Sequence, residues 1–444
     1  MTAPPVPPAV PFGRFVTRAQ ARGRLVVQPR MGMSRPDRMR DGLRATRGAA
    51  ATTVGTITVD SYTRTDDAVA ARRAVAQGAP LNGYPITTYD PSVTRQVLRD
   101  VADDTFPVQV RHGSARPEQI VTALLAAGLD ATEGGPVSYC LPYSRVPLNV
   151  AVASWERSCA LLTEAQQAGA HPHLETFGGC MMGQLCPPGL LIALSVLEAL
   201  FFRQHGLRSV SLSYAQQANS RQDEESVKAL SRLATALLPD VEWHIVVYAH
   251  MGMYPLTPEG ARLLLQEAAR LAVRTGAARL IVKTTAEAHR IPTVAENVRA
   301  LETAAAAAAD TSVPGADDTP DTGIHAEASA LVHAVLDLDR DIGRALVTAF
   351  ARGYLDVPFC LHPDNAGRAR SGLDAEGRLY WSAAGAMPLP ARPERGRSPI
   401  LGSDGLMAAL SHVQRTFDRR ARAETVHHVP PVHRETTDRW DPRP

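Results

Sequence analysis

The chain has 444 residues, a formal net charge of +2, 45% hydrophobic residues and 21% charged residues. That balance suits a globular protein with a core, and without a clustered basic field it excludes nucleic acid as the main partner. The longest apolar run, Gly189–Phe202, is shorter than the ~20 residues needed to cross a bilayer and is interrupted by Glu198, so a buried helix and no membrane partner are expected.

Residues 1–23 form a proline-rich N-terminal segment without the basic region and apolar core of a signal peptide. From residue 24, short runs rich in valine and isoleucine alternate with longer helical patterns, as βα units do. The predicted strands are Leu25–Pro29, Thr56–Asp60, Leu81–Pro85, Val108–Val110, Val137–Tyr139, His173–Phe177, Val210–Tyr214, Trp243–Tyr248 and Arg279–Val282, one more than an eight-stranded barrel needs. Asp90-Pro91 and Thr257-Pro258-Glu259 place a capping side chain before a proline at the first helical position. Gly128, Gly206 and Gly276 stand where helix C-terminal caps belong. No GxGxxG follows the first strand, which favours a (β/α)8 TIM barrel over residues 24–302 rather than an open dinucleotide-binding sheet. Residues 303–324 turn alanine-rich, then acidic and proline-containing, and read as a low-complexity insertion. A C-terminal helical and loop extension packed on the barrel is expected over 325–424, with a helical stretch near His325–Arg352, then a tail over 425–444. The five cysteines contain no CxxC pair and read as reduced thiols of a cytoplasmic protein.

Barrel active sites gather at the C-terminal ends of strands. Arg30 closes LVVQPR, Arg64 follows TITVDSY, and Arg111 closes FPVQVR and leads into His112-Gly113. Each guanidinium can hold a carboxylate through two parallel hydrogen bonds, so three together suit a substrate with two carboxylates. Glu133, Tyr139 and Tyr143 lie within eleven residues in a glycine-loosened stretch, where the carboxylate can hold a proton of an ammonium group and the phenols can donate. Lys283 ends LIVK with Glu287 four residues on, as an ion pair or, in a different chemistry, as a Schiff-base lysine beside a carboxylate. No metal site is expected: His171 and His173 have no further ligands at metal spacing.

These residues carry a resemblance to the large, or epsilon, subunit of glutamate mutase (methylaspartate mutase), spanning about Leu25 to Arg368. The matching pieces are Gln28-Pro29-Arg30, Asp60-Ser61-Tyr62-Thr63-Arg64, Leu81-Asn82-Gly83-Tyr84-Pro85, Arg111-His112-Gly113, Glu133-Gly134-Gly135, Ser138-Tyr139, Pro142-Tyr143, Phe177-Gly178, Lys283-Thr284 with Glu287, Ile291-Pro292-Thr293 and Asn365-Ala366-Gly367. Each piece is short, and their order and spacing make the match specific. The resemblance implies a (β/α)8 barrel and an adenosylcobalamin-dependent isomerase that interconverts L-glutamate and threo-3-methylaspartate, or a close analogue, by a radical route. It implies that Arg30, Arg64 and Arg111 grip the carboxylates, with His112, Tyr139 and Tyr143 lining the substrate pocket and Glu133 acting as base on the amino group. It implies that Gly32, Asn82, Pro142, Phe177, Lys283 and Glu287 face the cofactor. In that family a small, or sigma, subunit carries a DxHxxG motif whose histidine ligates cobalt. This chain lacks the motif, so the resemblance implies a hetero-oligomer of that subunit with a dimeric large subunit. His250-Met251-Gly252-Met253 and Ser371 depart from the family pattern.

Two other classes remain open from the residues themselves. One is a barrel lyase working through a Schiff base at Lys283. The other is a non-catalytic subunit that keeps the barrel for docking.

Overall fold

The computed structural model describes residues 10–180, 185–312, 321–390 and 402–427. Eight parallel strands form one sheet: β1 (Val26–Gln28), β2 (Gly55–Thr58), β3 (Val108–Arg111), β4 (Ala131–Glu133), β5 (His173–Glu175), β6 (Ser209–Ala215), β7 (Glu242–Tyr248) and β8 (Arg279–Ile281). Their order is β1-β8-β7-β6-β5-β4-β3-β2, and a parallel bridge between Val27 and Thr53 brings β1 back to β2. The sheet is thereby rolled into a (β/α)8 barrel.

Nine predicted strands become eight by three changes. Leu81–Pro85 contributes only an isolated bridge from Tyr84 to Val59. Gly83 lies against the Val59 carbonyl, where an added Cβ would sit 2.4 Å from its oxygen, so this segment lies across the barrel rim. Val137–Tyr139 is a turn, because Glu198 takes the N–H groups of Val137 and Ser138 that a strand would give to its neighbour. The true fourth strand is Ala131–Glu133, a short segment whose Thr132 pairs with Val110 and Leu174.

The helices follow the caps in the sequence. They are α1 (Phe12–Ala21), α2 (Pro36–Arg47), α3 (Ser61–Arg64), α4 (Ala68–Ala76), α5 (Pro91–Leu98), α6 (Glu118–Ala126), α7 (Leu148–Gln167), α8 (Pro188–Gln204), α9 (Ser220–Leu237), α10 (Pro258–Thr275) and α11 (Val294–Ala309). Asp90 accepts Ser92 N–H at the start of α5, Thr257 accepts Gly260 N–H at the start of α10, and Gly276 ends α10 at φ +70°. The apolar run is α8, buried from Pro188 to Phe202 on every side. Within residues 1–23, α1 folds under the barrel. Its Phe12, Val16 and Ala19 pack on Val26, Val54, Ala131 and Ala278 at the N-terminal ends of the strands.

The helical stretch after the barrel is two helices, α12 (Ile324–Leu336) and α13 (Ile342–Arg352), parted where Asp341 caps the second. A two-stranded antiparallel pair, β9 (Arg370–Leu373) and β10 (Leu379–Ala383), and helices α14 (Ser403–Leu410) and α15 (His412–His427) complete the described chain. α12 rests on α8 and α9, and α15 on α10. Residues 313–320 of the insertion and residues 428–444 of the tail lie outside the described residues. All five cysteines are buried and unpaired. Among the described residues no helix is long and apolar enough to cross a membrane.

Barrels of this kind are usually filled by branched apolar side chains. This one is polar along much of its axis. Gln28 Nε2 donates to Gln109 Oε1 at 2.8 Å and to Thr56 Oγ1 at 2.9 Å, while Arg279 donates to Gln28 Oε1 and to Glu175 Oε2. Arg279 and Glu175 are both completely buried. Such a pair gains from mutual attraction only when its remaining hydrogen-bonding capacity is also met, and Gln109 and Ser211 supply part of that.

Candidate active site at the barrel mouth

The C-terminal ends of neighbouring strands place the predicted arginines around one opening. Arg30 follows β1, Arg64 lies in α3 directly after β2, and Arg111 is the last residue of β3. Asp60 starts α3 by accepting the N–H groups of Tyr62 and Thr63, and this sets Arg64 on the rim. The Arg64 side chain then runs beside Gly113, where an added Cβ would meet its Cδ at 3.2 Å. Gly113 has φ +81°, so the turn after Arg111 needs glycine for its backbone as well as for the passage of Arg64.

Arg111 and Glu133 form the centre. Arg111 Nε donates to Glu133 Oε2 at 2.7 Å, with side-chain exposures of 5% and 2%. Tyr139 donates its hydroxyl to Glu133 Oε1, and Tyr248 reaches Glu133 Oε2 at 2.8 Å. Burial, then the Glu133 charge, raises the phenols of Tyr139 and Tyr248 well above their ordinary value, so both are neutral donors. Arg111 Nη1 makes no hydrogen bond among the described residues.

Aromatic rings wall the cluster. Tyr139 meets Phe177 at 5.0 Å and Tyr143 at 6.0 Å between centroids, and Phe177 meets Tyr248 edge-on at 5.5 Å. His112 stacks on Trp155 and meets the Tyr139 ring edge-on. Burial, helped by Arg111, pushes the His112 imidazole down to about 3, so it is neutral. Its Nδ1 accepts the Ser114 N–H at 3.0 Å, so the ring hydrogen is on Nε2, which is buried without a partner.

The loops that carry Tyr139 and Phe177 are tied to one buried carboxylate. Glu198 of α8 accepts from the N–H groups of Val137, Ser138, Phe177 and Gly178 and from the Ser138 hydroxyl. Gly135 passes so close that a Cβ there would overlap the Glu198 carboxylate. The residue that breaks the hydrophobic run of α8 therefore orients two walls of the site.

A second cluster borders the first. Arg30 Nη1 and Lys283 Nζ both lie 3.8 Å from Glu287 Oε2. The Lys283–Glu287 pair forms in a turn and not on a helix, because Thr293 and Glu296 make a capping box that starts α11 only at Val294. Lys283 faces the Tyr254 ring at 4.5 Å. Burial lowers its ammonium to about 8, with Glu287 opposing and Arg30 assisting the fall. Burial raises the Tyr143 phenol while Arg30 pulls it down and Glu133 and Arg111 also act on it, which ties this cluster electrostatically to the first. Tyr143 itself remains 45% exposed at the mouth, beside Pro142. Asn82 Oδ1 accepts the Ser61 N–H at 3.0 Å, and Gly32 touches the Thr58 carbonyl so closely that no side chain fits.

The sequence model of the methylaspartate mutase E chain (MutE) matches residues 6–398. The chain belongs to that family. It is 30% identical over 410 residues to the glutamate mutase epsilon subunit of Halobacterium salinarum, covering 88% of this chain and 83% of that one. It is 28% identical over 396 residues to the glutamate mutase epsilon subunit of Escherichia coli O157:H7, covering 85% and 81%. This chain is thus a mutase subunit.

Glu175, Tyr248, Arg279, Trp155 and Glu198 border this cluster in the mutase subunit without a local sequence motif that marks them. Glu175 and Tyr248 end β5 and β7 with their side chains inward, beside Glu133. Their signal was a polar residue at the last inward position of a strand, the same one that marked Arg111.

Proposed function

We propose that this chain is the large subunit of an adenosylcobalamin-dependent carbon-skeleton mutase that interconverts L-glutamate and threo-3-methylaspartate, or a close dicarboxylic analogue. The observation that carries the reading is the buried Arg111–Glu133 pair, with Tyr139 on its other oxygen, at a strand-end mouth shared with Arg30 and Arg64.

In this reading Arg30, Arg64 and Arg111 hold the two substrate carboxylates. His112, Tyr139 and Tyr143 line the space between, and Glu133 accepts a proton from the substrate ammonium group. Two clamped ends leave only the middle of the molecule free to rearrange. Burial of the cluster keeps water away from reactive species.

The residues of the second cluster fit a polar, hydroxyl-bearing cofactor. Tyr254 Oη and His250 Nε2 are buried without partners close to Lys283. His250 Nδ1 lies 3.0 Å from the Gln216 carbonyl and donates to it, so Nε2 is an acceptor. Gly32, Asn82, Pro142, Phe177, Lys283 and Glu287 would face the same group. Adenosylcobalamin, when bound, supplies the radical chemistry. The chain carries no DxHxxG motif, so a separate small subunit bringing the cobalt ligand is the partner proposed. A hetero-oligomer built on a dimeric large subunit, working in the cytoplasm, is the proposed assembly.

The depressed Lys283 ammonium would also suit a Schiff-base lyase. Family membership and the three arginines at or just after strand ends favour the mutase. Mixing the chain with a cobalamin-binding small subunit, adenosylcobalamin and L-glutamate tests the choice by product analysis. Formation of 3-methylaspartate supports the proposal. A carbonyl adduct trapped on Lys283 by borohydride, with no methylaspartate formed, overturns it.

A further inference from the structure

Arginine beside a carboxylate often closes on it as a fork, with two N–H groups on two oxygens. The Arg111–Glu133 pair does not. Only Nε reaches the carboxylate, at 2.7 Å on Oε2. Nη2, the other arm on that side of the guanidinium, approaches the Tyr248 hydroxyl oxygen at 3.4 Å. The same hydroxyl stands 2.8 Å from Glu133 Oε2 and touches Glu175 Oε1.

Tyr248 is fixed in that place. It ends β7, where its backbone pairs with Ala215 on one side and Ile281 on the other. Phe177 meets its ring edge-on, Arg111 Cζ lies 5.3 Å from the ring centroid, and the residue is completely buried. Its hydroxyl therefore fills the corner between Arg111 and Glu133.

The consequence falls on Glu133. Each carboxylate oxygen offers about two lone-pair positions. Among the described residues Oε2 has two neighbours, Arg111 Nε and the Tyr248 hydroxyl, while Oε1 has the Tyr139 hydroxyl alone. The open acceptor position is on Oε1.

The geometry points to Tyr248 as a wedge that keeps the Arg111–Glu133 pair on a single hydrogen bond and so reserves Glu133 Oε1 for the substrate ammonium group. This rests on the reading of Glu133 as the partner of that group. Tyr248 is a positioning residue, since it acts through Glu133. Without its hydroxyl, Arg111 can turn Nη2 onto Glu133 and the fork can close. Oε1 is then drawn away from Tyr139 and from an incoming ammonium group. Glu175 cannot stand in for the hydroxyl, because it is itself an acceptor held by Arg279. A dicarboxylate that lacks the amine makes no use of Oε1. The wedge therefore sustains the preference for L-glutamate over glutarate, which has the same carbon chain without the amine.

Calorimetric titration with L-glutamate and with glutarate tests this. The full chain is completed with the small subunit and hydroxocobalamin, which has no adenosyl group and so permits no turnover. The wild type is expected to bind L-glutamate more tightly. In Tyr248→Phe that preference should fall about tenfold, as for the loss of a hydrogen bond to a charged group. A general loosening of the pocket would weaken both ligands and leave their ratio unchanged. A crystal structure of the variant is expected to show Arg111 on Glu133 through both Nε and Nη2. Crystals of the wild-type complex with L-glutamate give a reading that needs no variant, with the ammonium nitrogen expected on Glu133 Oε1. An unchanged preference in Tyr248→Phe, or an ammonium group seated on Oε2, overturns the inference. A wild type that binds glutarate as tightly as L-glutamate refutes the underlying reading of Glu133 instead, so the two failures are separable.

Discussion

Arg111 and Glu133 end adjacent strands and meet at 2.7 Å in a setting almost closed to solvent. Removing one member of such a pair leaves a buried charge without its partner, which typically costs about 3–5 kcal/mol. Arg111→Ala and Glu133→Gln are each expected to destabilise the chain by that order, since each leaves the other member's charge without its partner. Urea denaturation of the two variants checks this.

Glu198 gathers four N–H groups and one hydroxyl from two loops. Glu198→Ala orphans all of them and is expected to cost at least about 3 kcal/mol while loosening Tyr139 and Phe177. Tyrosine near-ultraviolet circular dichroism should fall along with stability.

The same carboxyl yields a pH dependence. Burial raises Glu198 from 4.5 to about 7 in the fold, against the opposing pull of its hydrogen bonds. A carboxyl raised on folding contributes stability that is full below its unfolded value and is lost as pH rises through the folded one. Wild-type stability relative to Glu198→Gln is therefore expected to decline between about pH 4.5 and about pH 7. Chemical unfolding across that window reads the difference directly.

Lys283 and Lys228 are the only lysines in a chain otherwise supplied with arginine. Reductive methylation with a carbon-13 label would make Lys283 one of two side-chain signals, and its resonance is expected to titrate near 8. Its pKa is lowered on folding, so the neutral amine is favoured. The associated stability is present above the unfolded value of 10.5 and falls away as pH drops to about 8. Above about pH 8 the ammonium loses its charge and its attraction to Glu287. Arginine keeps its charge, so Lys283→Arg should remove that transition from any property that depends on it.

The barrel was legible because its strands and caps follow local rules. Asp90, Thr257 and Gly276 mark helix ends through contacts within a few residues. The misplaced strand shows where local rules stop. Val137–Tyr139 has the composition of a strand, and its backbone is claimed by Glu198, 60 residues away along the chain. The three-residue strand Ala131–Glu133 is too short to show alternation. Arg30, Arg64 and Arg111 stand out by ending strands or following them directly, and Glu133 by sharing a glycine-loosened stretch with Tyr139 and Tyr143. Tyr248 and Glu175 are not marked by local sequence, because Tyr248 meets Glu133 across the barrel from 115 residues away and Glu175 meets Tyr248 there too.

The arginine clamp is tested most directly by comparing kcat/KM for L-glutamate between wild-type and Arg111→Lys enzymes, each completed with the small subunit and adenosylcobalamin. A lysine ammonium keeps the charge and loses the planar fork that serves Glu133 and the substrate together. The expected result is a fall of about a hundredfold or more. An unchanged kcat/KM would contradict the account.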